Sequence, residues 1–275
     1  MTAFFDQASP GKTVKHKKAV FDLPIQYYRD DFFGLFFSAE LAKLSALMPS
    51  PNLHPVRVGK RKAVIGIAAF NYIDTTIGPY GEVGIVVPVV YGKKPLPWVP
   101  LLREARHPGF GMLVLHLPVT TLKARDGGRG VWGYPKFTAD MEFTITPEFM
   151  RCRLSERKKC IIDMKVSRAG PLRRSTLPLV TYTVKENRLI RTVIPQTGVF
   201  RDRLFPREYA FEAGDHPVAE ELLGLGISGR PFLSRCAAER AAILPAGEEI
   251  EEGAAALDGY RGAEKEGGLK VLYQP

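Results

Sequence analysis

Cysteine is scarce in this chain, with 3 in 275 residues, at Cys152, Cys160 and Cys236, and no C-x-x-C pair among them. That spacing argues against a cysteine zinc site or a disulfide framework. Each thiol reads as a reduced residue of the kind that packs in cores. Histidine is also thin, with 5 in 275 residues; His54, His107, His116 and His216 are scattered, with no H-x-x-x-H or H-E-x-x-H pattern, which argues against zinc hydrolysis. No metal site is therefore expected, and the lysine chemistry considered below needs no organic cofactor. No apolar run approaches the roughly 20 residues a helix needs to cross a bilayer. The stretch from Met1 to Lys18 carries lysines but no apolar core before a small-residue cleavage site, so we expect no signal peptide and a cytoplasmic protein. A G-x-S-x-G elbow, a phosphate loop and a dinucleotide fingerprint are all absent.

What is present is ordinary for a globular chain: 45% hydrophobic and 25% charged residues. The net charge of +10 invites a nucleic-acid reading. The basic residues are spread, however, and their densest groups (Lys15 to Lys18, Arg57 with Lys60 to Lys62, and Arg151 to Lys159) carry no recognition motif. They read as solvated faces. We expect neither nucleic acid nor membrane as partner, and a small anionic substrate is compatible with the charge.

The pattern along the chain predicts mostly strands. Lys62 to Phe70, Glu82 to Tyr91, Met112 to Leu117, Phe137 to Ile145, Arg151 to Leu154, Ile161 to Val166, Leu179 to Val184 and Leu189 to Ile194 all read as strands, separated by Pro- and Gly-rich turns such as Asp126-Gly127-Gly128. Helices are expected over Ser38 to Met48, with Ser38 as cap, over Leu96 to Arg106, and from His216 to Leu225, with Asp215 as cap. Several strands, among them Ile85-Val86-Val87, are apolar on both faces and need cover on both sides. No internal repeat or long linker is visible. We expect a flexible basic arm over 1–20, one β-rich α+β domain over 20–247, and a loosely ordered tail over 248–275.

One lysine stands apart. Gly128-Arg129-Gly130-Val131-Trp132-Gly133-Tyr134-Pro135-Lys136 places it directly after a proline, among glycine and aromatic residues. The proline forces Tyr134 toward extended backbone, so Lys136 enters a strand. Alternation then puts Phe137, Ala139, Met141, Phe143 and Ile145 on an apolar face and Lys136, Thr138, Asp140, Glu142 and Thr144 on a polar one. If that polar face looks into a cavity, Lys136 enters a site, and a lysine in a dry pocket can attack a carbonyl to form a Schiff base. If it faces solvent, Lys136 is a surface charge.

The motif resembles the signature of the acetoacetate decarboxylase family, Gly-Arg-Glu, a short spacer, then aromatic-Pro-Lys. The likeness extends over Leu47 to Pro51, Tyr80 to Val89 and Gly214 to Leu222, within roughly residues 20–247. The resemblance implies a cone-like closed barrel or double-layered sheet with a few covering helices, a homo-oligomer, and a lysine that condenses with a small keto acid. It implies Lys136 as the Schiff-base residue and Glu82 as the active-site carboxylate. Arg129 and Pro135 match the structural part of the motif, and Trp132 and Tyr134 lie beside it as candidate substrate contacts. The family's arginine before the first helix aligns with Ser38, and Arg29 upstream is a substitute carboxylate partner. Gly130 replaces the motif glutamate, Phe137 the second lysine, and Ile67 a further glutamate. The expected activity is decarboxylation of small 3-oxo acids. The alternatives are aldol, dehydration or cyclisation chemistry on another keto acid, or non-catalytic binding of a small molecule.

Overall fold

The computed structural model describes residues 2–6, 11–257, 259–262 and 264–275. A short helix α1 (Thr2–Phe5) precedes a hairpin of β1 (Thr13–His16) and β2 (Ala19–Asp22). The long β3 (Ile25–Glu40) runs directly into α2 (Leu41–Ala46), followed by β4 (Leu53–Pro55), β5 (Lys62–Thr75) and β6 (Tyr80–Tyr91). Then come α3 (Val99–Arg103), β7 (Phe110–His116) and α4 (Leu122–Trp132). A run of strands follows: β8 (Asp140–Ile145), β9 (Phe149–Glu156), β10 (Lys159–Ser167), β11 (Leu172–Ser175), β12 (Leu179–Lys185), β13 (Arg188–Ile194), β14 (Gln196–Leu204) and β15 (Tyr209–Ala213). Helix α5 (Pro217–Gly224), β16 (Leu233–Leu244), β17 (Glu248–Glu252) and β18 (Leu269–Tyr273) complete the order.

Two layers result. The large sheet has the order β11-β14-β16-β3-β5-β6-β7-β12-β13-β17, with β4 on β6, and the smaller sheet has the order β15-β10-β9-β8-β18. Alternation along β3 shows how they stack. Phe33, Leu35 and Phe37 face a core shared with Phe143, Cys152, Leu154 and Met164 of the small sheet. Phe32 belongs to a second core on the opposite face, with Phe70, Tyr72 and Tyr80. Each face of β3, β5 and β6 is therefore covered, which is why these strands are apolar on both sides.

The fold is β-rich with few helices, as expected, but the expected closed barrel is not formed. The terminal strands β11 and β17 of the large sheet do not pair among the described residues. The sheet instead curls around one cavity, to which β3, β5, β6, β7, β12, β13, β14 and β16 all send side chains.

Several local expectations are corrected. The arm over 1–20 is in part a hairpin: Phe21 of β2 packs on α4, where its ring occupies the space a Cβ at Gly127 would take. Residues 1 and 7–10 of that arm lie outside the described residues. The tail over 248–275 supplies two strands, β17 antiparallel to β13 and β18 parallel to β8, because Leu269 and Val271 pack against the core between the sheets. Residues 258 and 263 of the tail lie outside the description. Asp126-Gly127-Gly128 is helical rather than a turn. Ser38 caps no helix: it pairs with Val64 inside β3, and α2 starts only after the ladder ends at Glu40. The cap of α5 is His216 rather than Asp215, its Nδ1 accepting the Val218 N–H at 3.2 Å.

Candidate active site

Lys136 reaches its place through the end of α4. Thr121 caps the helix, its Oγ1 accepting the Ala124 N–H at 3.3 Å. The helix stops at Gly133, whose φ of 69° is left-handed and suits glycine. A Cβ there would also collide with the Val184 carbonyl. The chain then reverses, and the Tyr134 N–H donates to the Gly128 carbonyl at 3.2 Å. From there it runs extended beside 117–119: Leu117 N–H donates to Pro135 O at 3.0 Å and Val119 N–H to Phe137 O at 2.8 Å. Regular strand begins only at Asp140, later than the expected Phe137. Arg129 ties the turn together, with Nε donating to the Lys136 carbonyl at 2.6 Å and Nη2 to the Arg261 carbonyl at 3.1 Å.

The polar face of that segment divides. Glu142 is exposed, but Lys136 and Thr138 are buried, with Lys136 only 5% accessible. Lys136 Nζ donates to Glu82 Oε2 at 2.7 Å, and Glu82 is 7% accessible. Glu82 comes from β6, and its other oxygen accepts the Tyr72 hydroxyl at 3.2 Å. The Tyr80 and Tyr134 rings lie 5.7 and 5.6 Å from Nζ, within cation–π range. Tyr27 and Tyr80 share a hydrogen bond of 2.9 Å, and Tyr134 shares one of 2.8 Å with Thr181. Burial, reinforced by the charge of Glu82, holds the Tyr72 and Tyr134 hydroxyls well above the usual tyrosine range. Burial likewise raises Tyr27 and Tyr80. These phenols stay protonated, and that of Tyr72 donates to the ion pair.

Lys136 is also fitted against its own helix. A Cβ on Gly128 would lie 2.6 Å from both Cδ and Cε of Lys136. Alanine is the better helix former by about 1 kcal/mol. Gly128→Ala is therefore expected to preserve α4 while displacing the lysine stem. Helix content by circular dichroism should be retained and reductive alkylation of Lys136 by a small ketone with cyanoborohydride slowed at least about tenfold, since small misplacements of reacting groups carry large rate costs. An unchanged rate would contradict this packing.

The cavity in front of Lys136 has a volume of about 140 Å³. Most of its wall is aliphatic or aromatic. A second buried ion pair stands on it. Arg240 of β16 donates from Nε and Nη2 to Asp30 at 2.9 and 3.0 Å, and from Nη1 to Gln196 at 2.7 Å. Its guanidinium lies 5.0 Å from the Phe70 ring centre. Burial pushes the Asp30 carboxyl up to about 6, against the lowering by Arg240.

The structure brings Lys136, Glu82 and Tyr134 to one cavity and leaves other expected residues out. Arg29 is exposed, because irregular pairing on either side of it in β3 shifts the alternation, so that Asp30 rather than Arg29 turns inward with Phe32. Ser38 lies beyond the cavity, with its N–H donating to Ser228 Oγ at 3.2 Å. Trp132 sits behind the site: its Nε1 donates to the Pro245 carbonyl at 2.8 Å and its ring stacks on Phe21 at 6.4 Å. Phe137, at the position of the family's second lysine, turns away from the cavity and packs edge-on against Tyr260 at 5.0 Å. Sequence reasoning missed Tyr72, which continues the alternation Ala68, Phe70 along β5. It also missed Asp30 and Arg240, 210 residues apart, for which no local signal exists.

The sequence profile described as acetoacetate decarboxylase (ADC) matches residues 10–207. The chain belongs to the acetoacetate decarboxylase family. No curated protein sequence matched it. Among solved structures, acetoacetate decarboxylase from Legionella pneumophila is similar at 18% identity and a TM-score of 0.65, over 88% of this chain and 92% of that one. The enduracididine biosynthesis enzyme MppR complexed with pyruvate is similar at 10% identity and a TM-score of 0.59, over 88% and 99%. An acetoacetate decarboxylase-like enzyme from Sphingomonas wittichii RW1 is similar at 13% identity and a TM-score of 0.57, over 83% and 93%. At these identities the likeness establishes the acetoacetate decarboxylase fold. None of the described helices is long and apolar enough to cross a membrane. No group of three or more His, Cys, Asp or Glu side chains placed to hold a metal occurs among the described residues.

Proposed function

We propose that this family member is a lysine-imine enzyme that makes or breaks a carbon–carbon bond. The observation that carries the reading is Lys136 Nζ, 2.7 Å from Glu82 Oε2 inside a largely apolar cavity. Glu82 is the acceptor at hand for the ammonium proton, which must leave before the amine attacks. The amine adds to a substrate carbonyl, water is expelled, and a protonated imine results that draws electrons from the adjacent carbon.

Two outcomes share that intermediate. From a 3-oxo acid, the electron pair of the C–CO2 bond moves toward the imine, carbon dioxide leaves, and the enamine takes up a solvent proton relayed through Glu82 before hydrolysis. This is the reaction expected from the sequence. In aldol chemistry, an α-proton passes instead to Glu82, and the enamine carbon attacks a second carbonyl. A specific observation favours the second outcome: neither Arg29 nor Ser38 reaches the cavity, and Arg240 already carries Asp30. Among the described residues lining the cavity, no unmatched cation is left to receive a substrate carboxylate.

Cyanoborohydride reduction with acetoacetate and with pyruvate, followed by peptide mapping and assay of released carbon dioxide, tests the reading. We expect an adduct on Lys136. Carbon dioxide release would support decarboxylation, and an adduct without it would support aldol-type turnover. Absence of any adduct with these and neutral ketones would leave a binding protein. Removing the carboxylate should affect turnover more than capture. Glu82→Gln is expected to lower turnover by about 10²–10⁴-fold, the range for a positioned proton carrier, while Lys136 is still trapped. Turnover unchanged in Glu82→Gln would contradict the assigned role.

A further inference from the structure

Each cation on the cavity wall is already matched by an acid. Lys136 holds Glu82, and Arg240 holds Asp30 through two bonds. Arg235 bonds to Asp202 at 2.6 Å and to Glu104 at 3.1 Å. The rest of the wall near the reacting nitrogen is apolar or neutral, with Phe32, Phe70, Val114, Leu117, Ile194 and Phe200 as its body. A substrate carboxylate entering here would lose its water and find no free partner. It would also meet the like charges of Glu82 and Asp30. The space of about 140 Å³ is close to that of an apolar cavity that holds one benzene molecule.

We propose that the cavity selects a neutral carbonyl compound with an apolar body of about six carbons, and discriminates against keto acids of the same shape. The inference rests on the imine reading above, because Lys136 fixes where the carbonyl sits. The selectivity arises from the matched ion pairs. They leave no uncompensated positive charge on the wall before substrate binds, so apolar burial supplies the affinity and a carboxylate is penalised.

The test is a matched pair of methyl ketones with equal numbers of heavy atoms, 5-methyl-2-hexanone and levulinate, which differ in charge. Each is incubated with the full chain and cyanoborohydride, and labelling at Lys136 is divided by labelling at the exposed Lys17 in the same sample. We expect the neutral ketone to label Lys136 at least tenfold faster after this correction. In Asp30→Asn, which frees the charge of Arg240, the preference should narrow or reverse. Equal or faster labelling by levulinate in the wild type would overturn the proposal while leaving the imine reading intact. A thermal-shift titration with the same two compounds reads occupancy without the covalent step. Stabilisation by the neutral ketone alone, with no adduct, would support the selectivity and sink the imine reading. Stabilisation by neither, with no adduct, would overturn both.

Discussion

Lys136→Ala is expected to abolish turnover and covalent trapping together, with a loss of at least roughly ten-thousand-fold, the scale seen when a covalent nucleophile is removed. The effect is large because no second amine stands in the cavity: the other basic groups on its wall are Arg235 and Arg240, and guanidinium stays protonated. The protein should still fold. Lys136 and Glu82 form a buried pair, and removing one partner leaves an uncompensated charge, so Lys136→Ala is best compared with Lys136→Met/Glu82→Gln. A chemical rescue separates chemistry from folding. Lys136→Cys, in a Cys160→Ser background because Cys160 is the half-buried thiol while Cys152 and Cys236 are buried, should regain activity on alkylation with 2-bromoethylamine. Full activity in Lys136→Ala would contradict the site assignment.

Asp30→Ala is expected to cost about 3–5 kcal/mol, because it leaves Arg240 buried without its carboxylate. Both side chains are almost fully inaccessible, and Arg240 keeps only Gln196 as a side-chain acceptor. For a chain of this size the melting temperature should fall on the order of 10 °C. The double variant Asp30→Leu/Arg240→Met should recover most of the loss, since an apolar pair can replace a buried ion pair at little cost. The same group carries a pH signature. Burial raises the Asp30 carboxyl from 3.8 to about 6 in the folded protein. The folded state then binds that proton more tightly than the unfolded chain. Its contribution to stability is full below pH 3.8 and is lost as the pH rises through about 6. Urea midpoints measured over that window should fall more steeply with pH in the wild type than in Asp30→Asn. Parallel slopes would contradict the assignment.

The candidate site is legible in the sequence where it rests on local pattern. The Gly-aromatic-Pro-Lys run points to Lys136, and alternation puts it on a polar face of which two of the five residues, Lys136 and Thr138, are buried. The strands over Lys62–Thr75, Tyr80–Tyr91 and Leu179–Lys185 contain the expected runs and extend them only at their ends. What the sequence hid depends on long-range register. Irregular pairing around Arg29 cannot be seen from composition, and it exchanges Arg29 for Asp30 at the cavity. The Asp30–Arg240 pair joins two strands that meet only in the folded sheet. Gly127 and Gly128 read as a turn because glycine lowers helix propensity. They are helical because the Phe21 ring and the Lys136 stem occupy the space their missing side chains leave. The tail read as loose from its Glu, Gly and Ala content, yet Leu269 and Val271 were enough to dock a strand on β8.

The role of Lys136 is tested by cyanoborohydride reduction of the wild-type chain with 5-methyl-2-hexanone, acetoacetate and pyruvate, followed by peptide mass mapping of every lysine. The expected result is an adduct concentrated on Lys136, formed faster than on any exposed lysine and absent from Lys136→Ala. Labelling spread over exposed lysines, with Lys136 unmodified by all three compounds, would contradict it.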